Sequence, residues 1–368
     1  MSRGRWGWAL ALATLVTPLH AQFLGPGAVT SGFEAQQFGF GPQFGVRSLR
    51  QWAIPLAAVV PVGRVSVDIG SRYAETTLER PDGSSLTVRG FTDTQVRGAY
   101  VLGEDAVILT LLANLPTGAA GLSAPEYAVL AAASSSFLSF PVNAYGSGAS
   151  LTGGIATALP VGAWNLGVAG SLRLSGDFTP FRDADGGFRY QAGIETRARL
   201  GADRLIGSSR LSIGLTFSTF SDDEFSSGAG ATGVYRPGNR VIGEISWTGA
   251  IGPVSVVGYL WDFLRLAGDS AGLGARNREN VFAAGTVVNV PMRRTISWSP
   301  SAEFRWSRPE EGNGFLFEFT SAFRIKATRR LSIVPALRFD LGRLKEPDPG
   351  IGHKVRGIGF SVFLRESF

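Results

Sequence analysis

The sequence has 368 residues, of which 44% are hydrophobic and 17% charged, with 49 glycines, no cysteine and a formal net charge of +6. The charged fraction is low and the glycine content high for a soluble globular protein, and the lack of a Lys/Arg cluster argues against nucleic-acid binding. With no cysteine and few histidines, a metal site built on those side chains is nearly excluded, and we expect no cofactor.

The first 21 residues have the pattern of a signal peptide. Arg3 and Arg5 form a positive start, residues 6–16 are apolar but too few to span a bilayer, and Ala21 ends a plausible cleavage site. We assign residues 1–21 to the signal peptide, and expect residues 22–49 to form a periplasmic or plug segment before a β-barrel over residues 50–368.

Apolar and polar side chains alternate through most of the remaining chain, most clearly over residues 296–306 and 315–326. A period of two predicts strands whose two faces meet different environments. No later segment approaches the roughly 20 apolar residues that a membrane helix needs. The hydrophobic content is therefore expected to be spread over lipid-facing positions of short strands.

The predicted connections alternate between short and long. Short turns lie near Gly63, Gly162 and Gly252, whereas long connections include residues 80–90, 117–148 and 345–354. A soluble β-sandwich could share the strand pattern, but the alternating connection lengths are typical of outer-membrane barrels with periplasmic turns and outer loops. The sequence thus predicts an all-β fold, a single transmembrane antiparallel barrel. It has about 14 strands if residues 50–60 are not a wall strand, or 16 if they are and a strand near residues 33–45 precedes them, and we prefer 14.

Residues 355–368 predict the closing strand, because Ile358, Phe360 and Leu364 share an apolar face. The terminal Phe368 resembles the assembly signal of bacterial outer-membrane barrels, which implies recognition by the barrel assembly machinery. We therefore expect a location in the cell outer membrane, with its lipids as partners. Aromatic residues near strand ends fit an interfacial girdle: Trp164, Tyr190, Trp247, Trp261 and Trp298.

The same parity predicts which charged residues line the lumen, with Arg356 among them. The principal set is Arg173, Glu195, Arg197, Arg199, Glu244, Glu303, Arg305, Glu318, Arg324, Arg338 and Asp340. These side chains could pair across strands and stiffen the lumen. They could also line a polar conduit with a slight anion preference, and both interpretations can hold together.

The long connection after Gly118 is unusually apolar for a segment exposed to water. Tyr127, Leu130, Phe137 and Phe140 are candidates for a surface through which a ligand enters. The alternative is a packed lid that binds no ligand.

Four stretches carry a family resemblance: residues 90–105 (GFTDTQVRGAYVLGED), 114–118 (NLPTG), 140–148 (FPVNAYGSG) and 159–178 (LPVGAWNLGVAGSLRLSGDF). They resemble the outer-membrane proteins of the phenol-degradation (MetA-pathway) transporter-like family, which is itself similar to long-chain fatty acid transporter barrels. The resemblance implies passage of hydrophobic or aromatic compounds. The Asn-Pro-Ala element of the fatty acid transporter's amino-terminal hatch is missing from this sequence, so gating by such a hatch is not expected.

Three functions follow in order of preference. The first is passive uptake of small hydrophobic or aromatic molecules, with such a ligand as partner and no enzymatic activity. The second is a plugged structural or surface barrel without transport. The third is a hydrolase at the barrel rim that uses His353 with the nearby Asp348.

Overall fold

A computed structural model describes residues 27–41, 44–103, 107–183, 186–228, 230–270, 278–309, 313–345 and 352–368. The predicted signal peptide, residues 1–21, lies outside this described part of the chain. The elements follow in chain order as β1 (Ala28–Phe40), β2 (Ser48–Val62), β3 (Val65–Glu79), β4 (Ser85–Phe91), β5 (Thr94–Leu102), β6 (Val107–Leu115), β7 (Leu122–Ser123), α1 (Ala124–Ala133), β8 (Ser150–Val161), β9 (Trp164–Ser175), β10 (Asp177–Asp183), β11 (Gly186–Gln191), β12 (Glu195–Ile206), β13 (Ser209–Phe220), β14 (Asp223–Ser226), β15 (Thr232–Arg236), β16 (Arg240–Ile251), β17 (Val254–Arg265), β18 (Asp269–Ser270), β19 (Glu279–Arg293), β20 (Ile296–Pro309), β21 (Asn313–Lys326), β22 (Leu331–Lys345) and β23 (Gly352–Ser367).

The long strands form one closed antiparallel barrel, because β1 pairs with β2 on one side and with β23 on the other. The wall has 16 strands plus one extra strand, β4. β4 and β5 pair with successive parts of β3, and the register shifts by one residue where Thr92 and Asp93 separate them. β4 and β5 therefore continue the same row of the wall across a bulge.

The fold class is confirmed, but the preferred count of 14 strands is wrong and the alternative of 16 fits better. The difference arises at two strands. β1 falls within the expected plug segment of residues 22–49 and instead forms a wall strand, and residues 50–60, which the count of 14 left out of the wall, belong to the wall strand β2. Residues 85–90, expected to belong to a long loop, form most of β4.

Tight turns occupy one end of the barrel. Gly63, Gly162, Gly207 and Gly252 each take the first position of a two-residue turn with φ near +60°, a conformation that glycine adopts without steric cost. The other end carries the long connections. Since short turns of such barrels are periplasmic, Phe368 lies at the periplasmic end and the long connections lie outside.

Large apolar side chains cover the outer face of the barrel. More than one third of the surface is exposed for each, on strands all around the wall: Val29, Leu56, Ile69, Leu111, Ile155, Leu172, Leu200, Leu215, Ile245, Leu260, Phe317, Leu341 and Ile358. A continuous apolar surface of this extent is unsuited to water and suits a bilayer, which a closed barrel crosses without unpaired backbone groups. The protein is a transmembrane barrel of the outer membrane.

The connection between β6 and β8 folds into the barrel, and we call residues 117–148 the insert. α1 packs against β3, β4, β7 and β10. Side chains after α1 join a buried cluster with inward-facing residues of the wall, such as Phe38, Leu49 and Leu316. The insert therefore occupies part of the lumen at its outer end.

A second, six-stranded sheet extends the wall outward, and we call it the outer sheet. It contains β7, β10, β11, β14, β15 and β18. The β10–β11 hairpin connects β9 to β12, and the β14–β15 hairpin connects β13 to β16. The outer sheet thus stands directly over the barrel strands that flank it, opposite the strands that hold the insert.

Candidate functional site

The lumen has two unlike sides. The insert packs on β20–β23 and β1–β4, which we call the covered wall. We call β9, β12, β13, β16, β17 and β19 the free wall, since it carries the outer sheet. On this wall the inward Arg197 side chain keeps 38% of its surface exposed. The site follows from the contents of these two walls.

The covered wall holds a buried network of charges. Arg305 pairs with Glu303 and Glu318, and Arg338 pairs with Glu318 at 3.0 Å and Asp340 at 2.9 Å. Asp340 is fully buried, and only 7% of the Arg305 side chain is exposed. Charges buried to this depth are stable only when paired and hydrogen-bonded. The network is therefore a structural part of this wall.

The insert completes that network and seals it from solvent. Arg305 Nη1 donates to the carbonyl of Phe137 at 3.3 Å, and Arg72 Nη1 donates to the carbonyl of Pro141 at 2.6 Å. Gln51 makes two bonds with the backbone of Val142 at 2.7 and 2.8 Å. The insert is therefore held by specific polar contacts as well as by apolar packing.

Asp93 ties down both ends of the insert. Its buried carboxylate accepts bonds from Gly118 N at 2.9 Å, from Asn114 Nδ2 at 2.8 Å, and from the Ser147 N and Oγ at 2.6 and 2.9 Å. Gly118 is required here, because an added Cβ would lie 2.2 Å from the Tyr145 carbonyl oxygen. We call Asp93, Asn114, Gly118, Tyr145 and Ser147 the clasp. Three of the stretches that carry the family resemblance meet in it.

Arginines dominate the outer part of the free wall. Five of them share its lumen face with three glutamates, the arginines being Arg173, Arg197, Arg199, Arg240 and Arg265, and the glutamates Glu195, Glu244 and Glu279. Arg197 bonds Glu195 at 2.7 Å, Arg199 pairs with Glu244, and Arg265 pairs with Glu279 at 3.0 Å. We call this set the arginine group; its formal charge is positive.

Glu195 lies at the centre of the arginine group. Its carboxylate interacts electrostatically with Arg197, Arg240 and Arg173, and only 8% of the residue is exposed. Arg240 also stacks over the Phe220 ring, with the guanidinium carbon 4.7 Å from the ring centroid. One carboxylate among three guanidinium groups leaves a local excess of positive charge.

Aromatic side chains line the same face of β17. Tyr259, Trp261 and Phe263 alternate with exposed residues such as Leu260, which faces the opposite side of the wall. Tyr259 donates to Glu303 at 2.7 Å, which places this face in the lumen. We call these three residues the aromatic stripe; it descends from Arg265 toward the middle of the barrel.

More aromatic rings lie on one face of the outer sheet. Phe181 stacks on Phe188 with centroids 4.7 Å apart, and Phe188 stacks on Phe225 at 5.4 Å. Tyr127 of α1 contacts Phe181 at 5.2 Å. Because α1 also packs on β3 and β4 across the mouth, this face of the outer sheet is turned toward the entrance of the lumen.

Asp223 links the outer sheet to the arginine group. It accepts bonds from the Tyr190 hydroxyl and from Gly193 N, and it interacts electrostatically with Arg240. Burial raises the pKa of the Asp223 carboxyl above its usual value, although these donors and Arg240 oppose the rise. The aromatic entrance and the arginine group are therefore contiguous.

The structure divides the residues that the sequence singled out. Arg173, Glu195, Arg197, Arg199 and Glu244 lie on the free wall, whereas Glu303, Arg305, Glu318, Arg338 and Asp340 form the covered network. Arg324 shares the inward parity of Glu318, nearer the periplasmic end. The prediction for Arg356 is wrong. Arg356 pairs in register with the outward-facing Leu341, whereas the next residue, Gly357, pairs with the inward-facing Asp340.

The four candidate entry residues separate in the same way. Phe137 and Phe140 are 3% and 1% exposed and belong to the buried cluster, against which Leu130 also packs. Tyr127 remains 46% exposed. The second half of the insert is thus a packed filling of the lumen, and only Tyr127 presents an aromatic ring at the mouth.

Two aromatic assignments to the membrane girdle are wrong. Trp261 belongs to the lumen-facing stripe, and Tyr190 belongs to the outer sheet, where its hydroxyl bonds Asp223. Trp247 and Trp298 do face outward. The missed stripe has a signal in the sequence, because Arg265, Phe263, Trp261 and Tyr259 share one parity.

His353 is buried rather than exposed in an outer loop. It begins β23, is 4% exposed, and its ring centroid lies 5.2 Å from that of Phe44. Asp348, its proposed acidic partner, lies outside the described residues. Within the described ranges, no group of three or more His, Cys, Asp or Glu side chains is arranged to hold a metal ion, and no helix there is long and apolar enough to cross a membrane.

Comparisons with known proteins add little to this geometry. No protein-family model matches the sequence, and no curated protein matches it. Similar solved structures include a deltaS2 mutant of the TodX monoaromatic hydrocarbon channel (10% identity, 93% of this chain and 90% of that chain, TM-score 0.49), the P. putida toluene transporter TodX (11%, 93% and 90%, 0.45) and the outer membrane channel DcaP of Acinetobacter baumannii (10%, 93% and 98%, 0.42). At these scores the likeness does not decide cargo or mechanism.

Proposed function

We propose that the protein is an outer-membrane channel for passive uptake of small hydrophobic or aromatic molecules. The observation that carries the proposal is the aromatic stripe, Tyr259, Trp261 and Phe263, on the lumen face of the free wall. Half-buried rings directed into a lumen offer apolar area and stacking surfaces to a passing ring.

The dimensions of the barrel support a conduit. A wall of 16 strands encloses a space wide enough for an aqueous channel unless other segments fill it. The insert's contacts run to the covered wall, where it buries Phe137 and Phe140. Passage would therefore follow the free wall, from the aromatic face of the outer sheet past the arginine group and down the stripe.

The resemblance to the phenol-degradation transporter-like family points to the same cargo class. Its quoted stretches build the clasp and neighbouring strands, which hold the insert in place. They do not contribute the aromatic stripe. The family assignment is therefore part of the proposal, and the aromatic stripe in the lumen is what supports an aromatic cargo.

One observation favours the alternative of a plugged structural barrel. The covered network and the insert fill one side of the lumen with buried, paired groups, which is the arrangement expected of a barrel that is stiffened rather than open. Solute uptake separates the two functions, because a plugged barrel passes none.

The test uses the purified protein in liposomes and two solutes that cross lipid slowly, phenyl glucoside and methyl glucoside. We expect uptake of both, with faster entry of the aromatic solute. Trp261→Ala should lower the aromatic preference about twofold to tenfold, the worth of one aromatic contact. Trp247→Ala, on the lipid face of the adjacent strand, is the matched control and should change nothing. Impermeability to both solutes would leave the plugged barrel as the function.

A further inference from the structure

We propose that the preferred cargo is an aromatic monocarboxylate, whose carboxylate binds the arginine group while its ring lies against the aromatic stripe. This inference rests on the proposed channel function and names its substrate class.

The charge is positive where solute must pass. Two register rows bring four of the arginines together. Arg173 is opposite Glu195 in one row, and the other row runs from Arg197 through Ser218 and Arg240 to Arg265. The three glutamates of the group are each engaged by an arginine. An anion entering here meets a set with more guanidinium groups than carboxylates, five against four when Asp223 is counted with the three glutamates.

Guanidinium groups are suited to a carboxylate ligand in particular. Their planar array of donors matches the two oxygens of a carboxylate. The Arg197 side chain keeps 38% of its surface exposed, so it can reach a solute without breaking the wall. The group therefore has both the chemistry and the access that an anion requires.

The rings lie at the distance that one small molecule spans. On the same face of β17, Phe263 lies two residues before Arg265 and Trp261 lies four residues before it. Side chains two apart on one strand face are about 7 Å apart, which is close to the length of a benzoate ion. A molecule with a carboxylate at one end and a ring at the other would contact both sets together.

The covered wall shows that the arginine excess is particular to one side. Around the insert, Arg72, Arg305 and Arg338 are paired with four acids, Glu34, Glu303, Glu318 and Asp340. At the level of the insert, that wall therefore offers no cationic excess to a solute, and Arg324 lies nearer the periplasmic end. The lumen is thus asymmetric in charge, and an anionic aromatic molecule is best accommodated along the free wall.

The test measures zero-current potentials of the reconstituted protein in planar bilayers across a sodium benzoate gradient at pH 8. At this pH benzoate is present as the anion, so the potential compares the passage of benzoate with that of sodium. We expect benzoate to be preferred over sodium by about tenfold, the lower end of the effect of a charged cleft. Cyclohexanecarboxylate, with the same charge and no aromatic ring, should be preferred less. Added salt should weaken the preference, since it screens exposed charges.

Variants locate the effect. Arg197→Gln combined with Arg240→Gln should remove most of the benzoate preference, whereas Arg197→Lys alone should retain it. Arg210→Gln, which removes a lumen arginine paired with Asp203 near the periplasmic end of the same wall, should leave it unchanged. Cation preference, no preference, or equal loss in Arg210→Gln would overturn the inference. Continued uptake of phenyl glucoside in that case would show that the channel function survives.

Discussion

The covered wall and the free wall belong to one barrel and use the same residue types to different ends. On the covered wall, arginines and acids are buried, paired and closed over by the insert. On the free wall, arginines outnumber acids beside aromatic rings, and the Arg197 side chain stays 38% exposed. An ion pair that has lost its access to solvent contributes to structure, whereas one that keeps it remains available to a solute.

The sharpest way to break this comparison is to remove one arginine from each wall. Arg305→Gln leaves the buried Glu303 without its arginine and Glu318 with Arg338 alone, and breaking a buried pair in this way costs about 3–5 kcal/mol. Arg197→Gln affects a partly exposed pair and should cost no more than about 1 kcal/mol. Guanidinium unfolding of the two variants measures both, and equal losses would contradict the division into two walls.

Truncation of a buried ring tests whether the insert is packed or merely resting in the lumen. Phe140→Ala removes a ring that is 1% exposed and meets Phe38 edge-on at 5.3 Å, and we expect the insert to lose about 3–5 kcal/mol of packing. Limited proteolysis of the insert should accelerate, and conductance should rise. Tyr127→Ala, in the same insert but largely exposed, is the control. An insert equally resistant in both variants would show that the cluster does not hold it.

The clasp offers a smaller, polar perturbation. Asp93→Asn turns one acceptor oxygen into a donor that faces existing N–H or O–H donors, which should weaken the insert's attachment by about 1–3 kcal/mol. Hydrogen exchange at residues 116–121 and 145–149 should quicken. Asp82→Asn, in an exposed outer turn, is the control. Unchanged exchange in Asp93→Asn would show that the clasp does not hold the insert in place.

The smallest effect concerns pH. Burial raises the folded-state pKa of Asp223 above its unfolded value, so protonation favours the folded outer sheet. Stability from this group is fully present below the unfolded pKa and is lost as pH rises through the folded pKa. Intrinsic-rate-corrected hydrogen exchange of β11 and β14 should therefore slow as the pH is lowered from neutrality into the range where the Asp223 carboxyl takes up its proton, and Asp223→Asn should flatten that dependence. Faster exchange on acidification would contradict the assignment.

Local rules predicted most of the barrel. The alternation over β20 and β21, the glycine turns and the apolar face of β23 each follow from a few neighbouring residues. β1 was expected only as the alternative strand near residues 33–45. Its inner face carries the polar Glu34 and Gln36 but ends in Phe38, which packs in the buried cluster with the insert. A period of two is harder to detect where inner-face residues pack against another segment instead of facing water.

The site was less predictable for a related reason. Parity predicted the faces of the charged residues strand by strand, but Trp261 was expected to face lipid because it lies near a strand end, and it faces the lumen instead. The bond between Arg305 and the Phe137 carbonyl joins residues 168 positions apart, and the division of the lumen into two walls depends on it. Nothing in the local sequence specifies where a long connection will pack.

The central claim is that solute passes along the free wall, and the absence of native cysteine makes a direct measurement practical. Ser171→Cys places a thiol on the lumen face opposite Arg197, whereas Leu172→Cys places one on the lipid face of the same strand. A bulky, water-soluble thiol reagent should abolish phenyl glucoside uptake by Ser171→Cys and spare Leu172→Cys. Undiminished uptake after complete modification of Ser171→Cys would contradict passage along the free wall.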